Sequence, residues 1–480
     1  MLAFWQSICK ISKSSAKIKN RIGEFICIPL ENLIIIVLLQ SQNSFKIFSV
    51  MIQELKFKNF KSFKDEVTLS FEATKDQMFE EYHVVEVAPN VRLLRFAMVY
   101  GANASGKSNL LEAIEFLHNF FFDKPDDIEE RTGAAPFRLD TVTPNEPSEF
   151  SLKFYVGEIK YWYELKITPK QVISEKLSYY PSVQPKKLFE RTLENGQSVI
   201  NFNSATVKIS PAAKEEISLK CLPNMSFFAA KNQVNIAIEK IDIAKDWLRK
   251  HIMPMVNPSS SMFEYASNKM YENSALKSYL LDFVHEADFN ISDVRSDKVS
   301  RELPKQIINF LLADERTPDE MKEQIKTKQS INTIQTVFEH TVHNERGTET
   351  YLMSTESQSD GTRRTFGIEA AIYEALETQS FLYIDEIEAS LHPELVEFII
   401  QRFLSTKSHA QLLLTTHYDP LLNTVGDDLI RRDSVWFTEK KESGSTDLYS
   451  LVEYKGLNRI ASLQKAYRNG VFGALPNIKA

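Results

Sequence analysis

Gly101-Ala102-Asn103-Ala104-Ser105-Gly106-Lys107-Ser108 leaves the chain few folds to choose from. Its spacing is G-x-x-x-x-G-K-[ST], in which glycines let backbone amides turn inward on phosphates. The lysine of such a loop reaches the β and γ phosphates and the hydroxyl ligates Mg²⁺. The pattern has meaning only between a buried strand and a helix. Leu93 to Val99 is an apolar run that reads as a central strand ending on Gly101. After Lys107, Leu110, Leu111, Ile114, Leu117 and Phe121 recur at helical spacing. The start of that helix adds its positive dipole end. Gly101, Asn103, Ser105, Gly106, Lys107, Ser108 and the adjoining Asn109 are therefore the candidate nucleotide-binding residues, with ATP and Mg²⁺ as the implied ligands.

Three further stretches fit the same chemistry. Phe381-Leu382-Tyr383-Ile384-Asp385-Glu386 is an apolar strand ending in two acids. Asp385 at its tip would hold Mg²⁺, as would Ser108, and Glu386 would act as general base toward the attacking water. Ser359-Asp360-Gly361-Thr362-Arg363-Arg364 precedes a helix. Amides of such a turn can cap a γ-phosphate, and the same serine can simply be the N-cap of the helix. Both roles are open for Ser359 and Gly361. Thr415-Thr416-His417 ends another apolar strand, and a histidine there can contact the γ-phosphate.

Composition restricts the class further. A formal net charge of -7 excludes a uniformly cationic nucleic-acid coat, although a local basic stripe stays open. The three cysteines, Cys9, Cys27 and Cys221, fit neither a zinc site nor a disulfide framework, which implies a reduced, cytoplasmic setting. Residues 1–50 differ from the rest. They carry six Lys/Arg against two acids, then an apolar run from Leu33 to Leu39. That run is far short of the roughly 20 residues that span a bilayer, so no membrane association is expected. The extension reads as a non-native start or a disordered tail before Met51.

From Ile52 the pattern is strand (to Phe57), turn (Asn59 to Lys64) and strand (Val67 to Phe71). Ser148 to about Ile209 is rich in strands, with Pro169, Pro181 and Asn195-Gly196 at turns. Residues 234–330 read as a helical insertion, and Asn332 to Met353 returns to strands. A helix from about Thr365 to Thr378, a strand at Phe381 to Ile384, a helix after Pro393 and a strand at Leu412 to Thr415 alternate as in a parallel α/β sheet. The expected division is an extension (1–50), an ATPase N-lobe (51–233), the insertion (234–330) and an ATPase C-lobe (331–480).

Phosphate loop, long insertion, Ser-x-Gly turn, Asp-Glu strand and His strand, in this order, resemble the ABC ATPase heads. The start Ile52-Gln53-Glu54-Leu55-Lys56-Phe57-Lys58-Asn59-Phe60-Lys61-Ser62-Phe63 is similar to that of the SMC, RecF and OLD branch. Closer still are the RloA-like and AbiL-like stand-alone AAA family ATPases of bacterial defence systems. Those share Ser-Asp-Gly-Thr (Ser359 to Thr362), Asp-Glu-Ile-Glu-x-Ser-Leu-His-Pro (Asp385 to Pro393) and Tyr-x-x-Gly-x-Phe-Gly-Ala-x-Pro (Tyr467 to Pro476). The resemblance implies an α/β ABC-type P-loop ATPase head. Its parts are a parallel central sheet with flanking helices, an antiparallel β subdomain and an inserted helical lobe. It also implies ATP hydrolysis in a composite site, with Ser359 and Gly361 facing the partner's nucleotide and Glu388 to His392 as the D-loop. The implied partners are a second copy or a higher even-numbered oligomer, a separately encoded effector and, in a RecF-like or SMC-like alternative, DNA. An ATP-gated scaffold with little hydrolysis is a further alternative.

Two departures stand out. Asp360 replaces the first signature glycine, and its negative charge near the γ-phosphate is expected to slow hydrolysis. No glutamine lies between Ala134 and Phe150, where a Q-loop is expected; Asn145 and Glu149 are candidates in its place. The insertion lacks a long heptad run, which excludes an SMC-length coiled coil. The chain after His417 is shorter than the roughly 100 residues of an extra domain, so no nuclease of its own is expected. Expression of Met51–Ala480 is expected to give a protein with the thermal stability and ATP turnover of the full chain. Insolubility or loss of turnover would contradict the reading of residues 1–50.

Overall fold

The computed structural model describes residues 15–19, 25–29, 50–314, 317, 319–426 and 428–475. It divides into Met1–Phe48 and Ser49–Ala480. In the first unit, Ser15–Lys19 and Phe25–Pro29 pair antiparallel. The apolar run Leu33 to Leu39 lies outside the described residues.

The second unit is built on a five-stranded sheet. Its order is Phe381–Ile384, Gln411–Thr416, Phe96–Tyr100, Val435–Lys440 and Thr446–Ser450. The first four strands are parallel and the last is antiparallel. Every residue of the first three strands is buried, as expected of strands covered on both faces. On either side pack the helix Lys107–Phe122 and the helices Asp360–Thr378 and Pro393–Ser405, through the apolar stripes that their spacing foretells.

A second sheet is antiparallel with seven strands. Five of them, Ser148–Val156, Ile159–Ile167, Val172–Tyr180, Lys186–Glu194 and Gln197–Phe202, follow one another as a meander. Val50–Lys58 and Val67–Ser70 continue it at the other edge. Gln411 fastens the two sheets together. Its carboxamide accepts from Ile52 N at 2.6 Å and donates to the Ile52 and Leu94 carbonyls, both at 3.0 Å.

Three local expectations are corrected. The Leu93 to Val99 run is two strands, Val91–Leu94 and Phe96–Tyr100. Buried Arg95 separates them, donating to the carbonyls of Tyr82 and Leu404 with its guanidinium over the Phe403 ring. The signature helix begins at Asp360 rather than Thr365, because Ser359 caps it. Residues 234–330 are not all helical. Asp293–Glu302 is a strand, paired in register with Ser330 to Glu339. Its sequence alternates charges and only Val294 is well buried, so it carries little apolar periodicity. The helix Glu239–Lys250 joins the core beside the antiparallel sheet, where Trp247 stacks on Phe154 at 4.3 Å. Among the described residues, no helix is long and apolar enough to cross a membrane.

His83 gives this core a pH dependence. It is buried, with Nε2 2.8 Å from the Leu429 carbonyl oxygen, and burial lowers its pKa from 6.5 to about 4. Below pH 6.5 the unfolded chain therefore takes up a proton that the folded chain refuses until about pH 4. The stability it contributes is whole above pH 6.5 and falls as pH drops through that window. Compared with His83→Gln in urea titrations at pH 7.5 and 4.5, the native chain should lose about 2–3 kcal/mol more on acidification, at about 1.4 kcal/mol per pKa unit. Equal losses would contradict it.

Candidate nucleotide site

The parallel register sets the site. Ile384 lies beside Leu414, and Leu414 beside Met98. One residue further along, the three strands deliver Asp385, Thr415 and Val99 to the same sheet edge, just before Gly101. Open α/β sheets bind ligands at this edge, outside the carboxyl ends of the strands.

The phosphate loop is a tight turn closed by Ser105 N donating to the Ala102 carbonyl at 3.1 Å. Gly106 has φ 115°, a left-handed value suited to glycine, and begins the helix. Lys107 is 5 % exposed, its Nζ donating to the Gly101 carbonyl at 2.8 Å and to that of Ala102 at 3.3 Å. Burial lowers its pKa, and the carboxylates of Glu386, Glu388 and Asp385 oppose that shift. The lysine and the acids thus share one electrostatic neighbourhood. Asn103 is exposed and Ser108 half-buried. Ser105 Oγ is spent on Thr438 Oγ1 at 2.7 Å, and Asn109 Nδ2 donates to Ser62 Oγ at 2.8 Å. These two side chains brace the loop, which leaves its backbone amides, Lys107 and Ser108 as the groups that a phosphate could meet there.

Thr415 organises the acidic strand end. Its hydroxyl donates to Asp385 Oδ1 at 2.5 Å and accepts from Glu386 N at 2.9 Å. Asp385 is buried, whereas Glu386 is half-buried with φ 45°. A buried carboxylate at a strand tip, with one oxygen fixed by a hydroxyl and a serine hydroxyl opening the helix of the neighbouring loop, is an oxygen donor set that suits Mg²⁺. Glu388 Oε1 accepts from His417 N at 2.7 Å and lies 2.9 Å from His417 Nδ1. The expected γ-phosphate histidine is thus held by Glu388, at the start of the stretch expected to be the D-loop.

The bonds of Ser359 stay at its own helix start. Its Oγ accepts from Thr362 N at 3.0 Å and pairs with Thr362 Oγ1 at 2.8 Å. The serine and Asp360 are exposed, and Asp360 pairs with Arg363. Gly361 faces the D-loop, where a Cβ would come within 2.7 Å of the Ser390 carbonyl oxygen. Of the two Q-loop candidates, Glu149 pairs with Lys166 at 3.1 Å and Asn145 closes the short turn Thr143–Asn145.

Several residues of the site carry no sequence signal. Thr438 and Thr446 brace the phosphate loop from the C-terminal hairpin, Thr446 Oγ1 donating to the Ser105 carbonyl at 2.7 Å. Tyr467 to Leu475, the described part of the Tyr467-to-Pro476 stretch, packs behind them. Phe472 stacks on Phe437 at 5.5 Å, and Tyr467 OH donates to the Ala474 carbonyl at 3.2 Å. Pro476 lies outside the described residues.

A phosphate loop and an Asp-Glu strand end on a parallel sheet define a P-loop nucleotide-binding chain. Residues 96–202 and 241–423 match the family described as "AAA domain, putative AbiEii toxin, Type IV TA system", and the chain belongs to that AAA ATPase family. Solved structures similar to it include an SMC head bound to the C-winged helix domain of ScpA, at 13% identity over 86% of this chain and 99% of that one, TM-score 0.38. The SMC head domain from Thermotoga maritima follows at 13% identity, 83% and 98% coverage and TM-score 0.34. A third is the Pyrococcus furiosus Smc head with an extended coiled coil bound to the C-terminal domain of ScpA, at 12% identity, 88% and 98% coverage and TM-score 0.32. No curated protein matches the chain.

Thr415→Val would leave a buried carboxylate oxygen and a half-buried amide each short of a bond. The cost should be about 1–3 kcal/mol, read from urea unfolding at pH 7, and Thr415→Ser should recover most of it. Unchanged stability in the valine variant would contradict the bonding described.

Proposed function

We propose that the chain is an ATP-hydrolysing head of the ABC type whose site is completed by a second copy. The observation that carries this reading is the convergence of Lys107, Asp385 and Glu386 at one sheet edge, while Ser359 stands exposed at the start of its helix. Lys107 and the loop amides bind the β and γ phosphates. Ser108 and Asp385 hold Mg²⁺, which when bound neutralises phosphate charge. Glu386 accepts a proton from water as the oxygen bonds to the γ-phosphorus and the bond to the ADP oxygen breaks. Ser359 and Gly361 of the second copy cap the γ-phosphate, and His417 contacts it from within the chain.

The biological role in this reading is that of the RloA-like and AbiL-like defence ATPases: control of a separately encoded effector. Its support is the three shared motif stretches and the family description. A second reading, DNA handling, draws on the outer face of the antiparallel sheet. There Lys153 and Lys176 lie 5.6 and 5.1 Å from the Trp162 ring, beside a cavity of about 430 Å³. Both lysines pair with glutamates, Lys153 with Glu54 at 2.9 Å and Lys176 with Glu164 at 2.6 Å, which reduces their attraction for phosphates. ATPase stimulation by DNA with a steep salt dependence would favour that reading.

Three variants test the proposal. Lys107→Ala should abolish nucleotide binding. Ser359→Arg should bind ATP yet remain single and hydrolyse little. Glu386→Gln should bind ATP, lose roughly 10²–10⁴-fold in turnover as expected for a missing general base, and accumulate as a closed pair by light scattering. Normal hydrolysis by Ser359→Arg would mean that the site is complete in one chain.

A further inference from the structure

We propose that Arg364 is a positioning residue for hydrolysis: it locks the backbone of Glu386 and ties it to the helix that carries Ser359. The inference rests on the reading of Glu386 as the general base. Arg364 lies five residues after Ser359 in the same helix and is 2 % exposed. Its guanidinium meets backbone on two sides. Nη1 donates to the carbonyls of Asn257, Pro258 and Ser260 at 2.9, 3.0 and 3.0 Å. Nη2 donates to the carbonyls of Glu386 at 3.2 Å and Asp385 at 3.5 Å. The nearby carboxylates of Glu388, Glu386 and Asp385 favour its charge against burial.

Glu386 needs such a hold. At φ 45° it occupies the left-handed region, which a side-chain-bearing residue keeps only when its surroundings over-determine it. Its N–H is fixed by Thr415 Oγ1 at 2.9 Å, and its carbonyl accepts from Ala389 N at 2.9 Å within the loop and from Arg364 Nη2 at 3.2 Å across it. The Ala389 bond and Ile387 N, which donates to the Thr415 carbonyl at 3.2 Å, hold the loop locally, while Arg364 ties it to the helix that follows Ser359. Without the guanidinium the loop and its carboxylate can shift together relative to that helix.

The other side of the guanidinium holds a segment that is itself tied to both partners. Val256 N donates to the Tyr383 carbonyl at 3.0 Å, and Asp385 N to the Val256 carbonyl at 2.9 Å. A Cβ on Gly367 would lie 2.0 Å from the Ser261 carbonyl oxygen, so the segment after 257 runs tight against the signature helix. Signature helix, crossing segment and acidic strand end are thereby one bonded unit. A shift of the helix when Ser359 meets the second copy's nucleotide is passed to Glu386. Lysine cannot replace this fork, because a single ammonium does not span two sets of carbonyls.

The test is a double-mutant cycle on the full chain with Arg364→Lys and Glu386→Gln, measuring single-turnover ATP hydrolysis, KM, Mg-ATP binding and melting. Arg364→Lys should bind Mg-ATP and keep KM within about twofold while kcat falls about a hundredfold, the scale of a misplacement of about 1 Å. Added to Glu386→Gln it should cost nothing more, because it acts through that carboxylate. Native kcat in Arg364→Lys, or losses that multiply in the double variant, would overturn the proposal. If the lysine variant does not fold, Arg364→Gln is run through the same cycle. Failure of both to fold makes Arg364 a structural residue and also overturns it. Normal hydrolysis by Glu386→Gln alone would instead sink the reading of Glu386 as base, and this inference with it.

Discussion

The site hangs on the parallel pairing of three buried strands, Phe381–Ile384, Gln411–Thr416 and Phe96–Tyr100. Their side chains are almost wholly apolar until the carboxyl ends, so packing fixes the register and chemistry begins only where the strands stop. A slip of one residue would turn each apolar row to the other face of the sheet. It would also carry Thr415 away from Asp385 and Glu386. One hydroxyl on the middle strand thus serves two residues of its neighbour because the register presents it between them.

Around that edge the remaining elements act as braces. The C-terminal hairpin holds the phosphate loop through Thr438 and Thr446, and the turn before the first helix holds it through Ser62. Gln411 joins the antiparallel sheet to the far end of the same strand that carries Thr415. The strained backbone at Glu386 is held separately, by Thr415 on the middle strand and by Arg364 on the helix after Ser359. Strain of this kind gathers at functional sites and costs of order 1–3 kcal/mol wherever it is kept.

Much of this was legible in the sequence because it is carried by local patterns. The glycine spacing before Lys107, the apolar run before Asp385 and the stripe from Leu110 to Phe121 each have a period or a motif. Thr438 and Thr446 have neither, and Thr415 and Arg364 stand inside motif stretches that assign them no role. They act through partners far away in the chain, such as Ser105 with Thr438 or Arg364 with Asn257, and no window of sequence contains both members. The Asp293–Glu302 strand escaped for a related reason: its ladder with Ser330 to Glu339 is made of backbone, while its side chains are mostly charged. Arg95 divides an apolar run into two strands only because its guanidinium finds carbonyls on other elements.

In the proposed mechanism one chain holds the nucleotide and another completes its site. Mixing two inactive chains tests it most directly. Lys107→Ala lacks the phosphate-binding charge, and Ser359→Arg lacks a usable cap, so each alone should hydrolyse little ATP. In a mixed pair, the intact phosphate loop of the Ser359→Arg chain meets the intact Ser359 of the Lys107→Ala chain, and one whole site forms. ATPase activity absent from either variant should return on mixing and grow with the fraction of mixed pairs. Activity that stays at the level of the separate variants, with both folded and in excess, would contradict it.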